Sequence, residues 1–328
     1  MPPMQPNSSM WCSQSVSLCK RCSFVFKLSD KMMKIRSKFQ TWLLQEDLNF
    51  LLTNRIPRIT LTRFMGWWSQ LRHPWIVKGS IAVWRWFSDL NLSESKQQSF
   101  GSLHECFTRE LRPGLRPIDT NPDVLSSPCD CIVGACGEIR DGMVFQAKGF
   151  PYTLQSLLSS PQLIQRWPSL LEGGTFVTMR LTSSMYHRFH APCDSRLSHV
   201  TYISGDTWNV NPIALTRVKE LFCKNERAVL QMQTPQGIPF LIVPVAAVLV
   251  ASMRFHAVNI LLNLRYKGPN DIPCDADYFK GQEMGWFEHG STILIFVPPG
   301  YGLCEGIQNG VQLRMGQALL RRLNGFVS

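Results

Sequence analysis

The sequence predicts an α+β fold, a β-rich body preceded by a helical N-terminal arm. Three observations carry that expectation. Residues 54–88 hold five of the ten tryptophans and six cations with no acid, and their apolar positions recur at spacings of three and four. After Asp130, short runs rich in Val, Ile, Leu and Thr alternate with Gly, Pro, Asn and Asp turns. At 328 residues, 45% hydrophobic and 17% charged, the chain is long and apolar enough to bury a full core.

Residues 1–53 read as a leader or extension of uncertain structure. The first 33 carry a single acid, Asp30, and no apolar core suited to a secretory signal; they read as a transit-like leader or as sequence upstream of a start at Met33. Residues 54–90 read as amphipathic helices. Leu61, Phe64, Trp68, Leu71 and Trp75 share one helical face, and Pro74 divides the segment in two. Residues 91–328 form the body. Leu103 to Leu111 reads as a short helix, followed by a connection punctuated by Pro113, Pro117, Pro122 and Pro128. The runs at Ile132–Val133, Thr175–Met179, Ala228–Met232, Phe240–Val250 and Ile293–Val297 read as strands. One helix is expected among them, capped by Asn211, entered at Pro212 and lined by Ala214, Val218, Leu221 and Phe222. The longest apolar run, Ile238 to Ala251, contains two prolines and is too short to span a bilayer.

The formal charge of +11 is uneven. Residues 1–120 hold 17 Lys/Arg against 8 Asp/Glu, and the remainder holds 17 against 15. A basic front end points to an anionic partner, and charge alone admits both nucleic acid and anionic lipid. No nucleic-acid-binding motif is present. Tryptophan prefers the bilayer interface and cations meet its headgroups, so Trp67, Trp68, Trp75, Arg63, Arg72 and Lys78 are the expected membrane-binding residues. The competing reading packs the arm on its own body. Eleven cysteines show no pair of spaced pairs, so neither a metal site nor a disulfide framework is expected, and a reducing compartment is the default.

Three clusters hold the chemistry: Ser127-Pro128-Cys129-Asp130, Tyr186-His187-Arg188-Phe189-His190, and Glu283 through Thr292 with Gly290-Ser291 inside it. An Asp, a His and a Ser are a cheap set in a chain with seven histidines. The nucleophile-elbow pattern is absent around Ser291, against an α/β-hydrolase. A glycine before the serine leaves its carbonyl open to attack by a neighbour.

These clusters resemble the phosphatidylserine decarboxylases, bacterial type. "GQEMGWFEHGST" resembles that family's self-cleavage motif, "MYHRFHAP" its histidine motif and "SPCD" its aspartate motif. "LTRFMGWW", "LRPIDTNPDVL", "YISGDTWNVNP" and "FCKNERAVL" extend the likeness over roughly residues 58–328 in consistent order. The resemblance implies cleavage between Gly290 and Ser291 into chains 1–290 and 291–328 that stay associated. Ser291 becomes a covalent pyruvoyl group, His190 is the base and Asp130 its orienter. The pyruvoyl ketone condenses with phosphatidylserine as an imine and serves as the electron sink for loss of carbon dioxide, giving phosphatidylethanolamine. His187 is implied near the substrate carboxylate or in reprotonation; His289 is given no role. The resemblance also implies homodimers and peripheral attachment to a membrane, the cytoplasmic face of a bacterial inner membrane or, alternatively, the mitochondrial inner membrane. Cys131, Ser195 and Met185 depart from the family's pattern, the first two from glycines and the third from an acid. Two rival readings stand beside this one: a catalytically silent lipid-binding relative, and a serine hydrolase using Asp130, His190 and Ser291.

Overall fold

The computed structural model describes residues 58–147, 150–247, 252–263, 266–288 and 291–323. The expected leader, Arg55, His289 and Gly290 lie outside them.

Two helices form the described arm, α1 (Arg58–Ser69) and α2 (Pro74–Phe87). The break falls where Pro74 requires it, since its missing N–H is harmless only in a first turn; it leaves Leu71 between the helices and Trp75 on α2, so the five apolar residues expected on one helical face do not share one. Helix α3 is Leu103–Phe107, shorter than the sequence pattern, with Ser102 Oγ accepting from Glu105 N at 3.0 Å. The chain then runs through β1 (Val124–Ser126), β2 (Cys131–Glu138), β3 (Met143–Ala147) and β4 (Phe150–Thr153). Helices α4 (Leu154–Leu158) and α5 (Pro161–Leu171) follow, then β5 (Thr175–Leu181), β6 (Arg188–His190) and β7 (Ser195–Ile203).

The single helix expected after Asn211 is two four-residue helices, α6 (Pro212–Leu215) and α7 (Leu221–Lys224). Asn211 caps the first as read, accepting from Ala214 N at 2.8 Å. Glu220 stands at φ +53°, in the left-handed region that no helix continues through. Helices α4 and α5 stand where the sequence pattern predicts no helix. Pro168 inside α5 disguised it, yet Leu163, Trp167 and Leu171 recur at spacings of four and are buried.

The remaining strands are β8 (Arg227–Gln233), β9 (Pro239–Ala246), β10 (Ser252–Phe255), β11 (Ile260–Asn263), β12 (Asp271–Tyr278), β13 (Glu283–Phe287), β14 (Ser291–Val297), β15 (Tyr301–Leu303), β16 (Gln312–Leu313) and β17 (Ala318–Arg322). Eight of them make one sheet in the order β12-β7-β8-β9-β14-β5-β2-β16, every pairing antiparallel. A second sheet has the order β11-β10-β13-β6.

The middle strands of the large sheet are buried on both faces. Ile293, Ile295 and Val297 of β14 join a core with Phe189, Phe255 and Phe287 of the smaller sheet. Leu294 and Phe296 turn the other way, onto Trp167, Leu171 and Phe222. A strand covered on both sides reads as an unbroken apolar run, which is why Ile293–Val297 was legible as β. Each such side chain contributes about 1.5–3 kcal/mol when fully removed from water.

Candidate active site

Ser291 is the first residue of β14, opposite Leu181 of β5 on one side and Ala246 of β9 on the other. Its side chain is wholly buried, and Oγ has no hydrogen-bond partner among the described residues. Past Leu181 the chain turns through Thr182–Met185 into the histidine cluster. The strand that carries the cleavage motif is tied to that cluster, because Phe287 N donates to His187 O at 3.0 Å.

His190 ends β6, and its backbone N–H donates to Pro128 O at 2.8 Å, which brings the aspartate loop alongside. Nδ1 lies 2.9 Å from Gly281 O. A carbonyl only accepts, so Nδ1 carries the proton and Nε2 holds the lone pair. That nitrogen accepts from Tyr186 OH at 3.1 Å. Burial holds the imidazole below its ordinary pKa of 6.5 and keeps it neutral at physiological pH, the form a base requires. The Gly281 carbonyl is aimed by a turn only glycine can make. Its φ is +81°, and a Cβ there would lie 2.0 Å from Ile118 Cδ1.

Asp130, expected to orient His190, makes no hydrogen bond to it in this structure. Arg116 takes both carboxylate oxygens, Nε on Oδ1 at 2.8 Å and an Nη on Oδ2 at 2.6 Å. Met315 N also donates to Oδ1, at 2.9 Å. The same Arg116 Nη reaches Glu94 at 2.7 Å, so one guanidinium bridges two acids. The bidentate fork outcompetes an imidazole N–H because it makes two charge-assisted bonds at once. Asp130 still acts on His190 through space, its charge favouring the proton there.

His187 is wholly buried. Nδ1 lies 2.9 Å from Met185 O, which assigns the proton to Nδ1 by the same carbonyl argument. Its ring lies 4.0 Å from that of Phe107, centroid to centroid, and Phe107 stacks on Trp84 of the arm at 5.7 Å. Beside that stack, Met65, Trp68, Ile76, Val83, Trp84 and Phe107 line an apolar cavity of about 660 Å³.

The departures have plain structural outcomes. Neither Cys131 nor Ser195 has a positive φ, so neither position needs glycine here. Met185 supplies an acceptor where an acid was expected, its Sδ taking Thr182 N at 3.4 Å.

The family model described as phosphatidylserine decarboxylase matches residues 103–321. The chain is 32% identical over 286 residues to the phosphatidylserine decarboxylase proenzyme of Escherichia coli O9:H4 (strain HS), covering 83% of this chain and 87% of that protein. The proenzyme of Escherichia coli strain K12 / DH10B matches with the same identity and coverage. The chain belongs to the phosphatidylserine decarboxylase family. Within this decarboxylase, the sequence reading overlooked Arg116, Gly281 and Tyr186 as functional neighbours. All three stand inside the quoted motifs, Gly281 as the first residue of "GQEMGWFEHGST", but nothing local marks them as partners of His190 or Asp130.

Proposed function

We propose that this chain is a phosphatidylserine decarboxylase that matures by cutting itself between Gly290 and Ser291 and works at a membrane surface. The observation that carries the reading is Ser291, a buried serine at the head of a central strand whose hydroxyl has no hydrogen-bond partner among the described residues. Burial without a hydrogen bond costs about 1–3 kcal/mol, and a residue destined for conversion explains why that cost persists.

In maturation, Ser291 Oγ attacks the Gly290 carbonyl carbon and its amide becomes an ester. His190 takes the Ser291 α-proton on Nε2, which Tyr186 gives up as it does so. The Gly290 carboxylate leaves, and the dehydroalanine that remains takes up water and releases ammonia. The walls around Ser291 suit the product: Leu181 and Ala246 flank it, with no donor fixed on its side chain. The pyruvoyl ketone supplies the electron sink that no amino-acid side chain offers. Asp130 sets the local charge, and His187 serves the turnover reaction.

The released 38-residue chain carries β14 through β17. With β14 seated between β9 and β5, the two chains stay associated after the cut. The arm meets the bilayer through Trp67, Trp75, Arg63, Arg72 and Lys78, all exposed. Trp68 instead turns inward, its Nε1 donating to Ser80 Oγ at 3.1 Å. Among the described residues no helix is long and apolar enough to cross a membrane. The arm and the Escherichia coli relatives support a peripheral position on the cytoplasmic face of a bacterial inner membrane. The cavity under the arm has an apolar lining that suits an acyl chain, and the Trp84–Phe107–His187 stack beside it supports a headgroup bound near His187.

Intact mass tests the reading. The parent should give two chains, the smaller carrying a pyruvoyl end, and Ser291→Ala should give one inactive chain. Two chains of unchanged size from Ser291→Ala would sink the proposal. A single parental chain labelled by a fluorophosphonate would replace it with a hydrolase.

A further inference from the structure

Arg109 is 4% exposed and touches no carboxylate among the described residues. That sets it apart from Arg116 and Arg188, whose guanidinium groups meet Asp130 and Glu283. Its acceptors are backbone carbonyls: Cys106 O at 3.2 Å, Ser184 O at 2.9 Å and Met185 O at 3.3 Å. Its Nε is buried and has no acceptor among the described residues. A buried cation whose hydrogen bonds all go to neutral carbonyls is expensive, and Asp130 and Glu94 favour its charge only through space. Burial lowers its pKa accordingly.

Met185 O is the carbonyl that also accepts from His187 Nδ1. One oxygen therefore receives both the Arg109 guanidinium and the imidazole N–H, using its two lone pairs. Phe107, two residues before Arg109, packs on the face of the same imidazole. The end of α3 thus fixes His187 in two directions: ring plane by Phe107, and proton position through Met185 O.

We propose that Arg109 is a positioning residue for His187: by holding the Met185 carbonyl it fixes the Nδ1–H tautomer and keeps Nε2 as the basic nitrogen for turnover. The proposal rests on the reading that His187 serves decarboxylation. A neutral histidine has two tautomers of similar energy, and only one offers Nε2 as a base. Releasing Met185 O lets the ring adopt either and lets it drift. A misplacement of about 1 Å costs roughly 10²-fold in rate.

The test uses the full matured chain with Arg109→Ala, Arg109→Lys and His187→Ala, each checked for self-cleavage and thermal unfolding. Arg109→Ala should cleave itself, keep its KM on vesicle phosphatidylserine and lose roughly 10²-fold in kcat. Guanidinium ion should restore part of that loss, and Arg109→Lys should fall between. Nitrogen-15 spectra of histidine-labelled protein should show the His187 Nδ1–H signature in the parent and a mixed one in Arg109→Ala. In the His187→Ala background, Arg109→Ala should add nothing further. If Arg109→Ala does not fold, Arg109→Lys decides on the same readouts. An inactive His187→Ala beside Arg109 variants of parental kcat and tautomer would overturn the positioning role alone. A His187→Ala enzyme of parental kcat would instead overturn the reading beneath it.

Discussion

The arm and the body use the same aromatic residues and send them in opposite directions. In the body, Trp167 is 1% exposed, pinned between α5 and the large sheet, with Nε1 donating to Gln231 at 3.3 Å. In the arm, Trp75 is 81% exposed and Trp67 59%, with Phe64 and Val83 beside them about half exposed. Scattered surface apolar groups need no explanation, but a cluster rimmed by cations does. The body is built for water and completes its own core. The arm leaves apolar surface for another solvent and keeps its inner face, Trp68 and Trp84, for the cavity beside Phe107. On the proposed function, specificity for a lipid divides between the two, with membrane contact outside and chemistry inside.

Variants that strike one region and spare the other would sharpen that contrast. The largest effect belongs to His190→Ala, which should slow self-cleavage by roughly 10²–10⁴-fold while vesicle binding stays at the parental level. Asp130→Asn should slow cleavage less, because Asp130 reaches His190 by charge and not by contact. A time course in which Asp130→Asn cleaves as slowly as His190→Ala would restore a direct pairing between the two.

The next effect lies wholly in the body. Tyr202 OH faces two acceptors, Glu226 Oε1 and Asn263 O, with one proton to give. A neutral Glu226 resolves the conflict by donating to the phenol oxygen while Tyr202 donates to Asn263. Burial pushes the Glu226 pKa from 4.5 up to about 7. A carboxyl raised in the folded state contributes its full stability below pH 4.5 and loses it as pH rises to about 7. The change amounts to about 3 kcal/mol. Urea unfolding followed from pH 4.5 to 8 should show that decline in the parent and its absence in Glu226→Gln, whose amide mimics the neutral acid. Parallel pH profiles for the two proteins would show that Glu226 is charged in the fold.

The smallest effect belongs to the arm. Parental binding to anionic vesicles should weaken with salt, as six cations screened over roughly 8 Å lose their attraction, yet persist through the aromatics. Trp67→Ala/Trp75→Ala should cost roughly tenfold in the high-salt remainder, with self-cleavage untouched. Turnover of a soluble short-chain phosphatidylserine should stay near parental. If that double variant binds vesicles in high salt as tightly as the parent, the exposed rings serve something other than a bilayer.

What the sequence determined by itself is local. Helical spacing and Pro74 placed α1 and α2, apolar runs placed β5, β8, β9 and β14, and Asn211-Pro212 placed the start of α6. Each signal lies within a few residues of its effect. The residues proposed to carry the chemistry were also legible, because Asp130, His190 and Ser291 stand in short motifs. Their partners were decided only in three dimensions. His190 is held by a carbonyl 91 positions away, and Asp130 is claimed by Arg116 and by Met315 N, 185 positions away. Hydrogen-bond partners are chosen by competition among all groups that the fold brings within reach, and a guanidinium fork wins a carboxylate from an imidazole. No local pattern records which competitors will arrive.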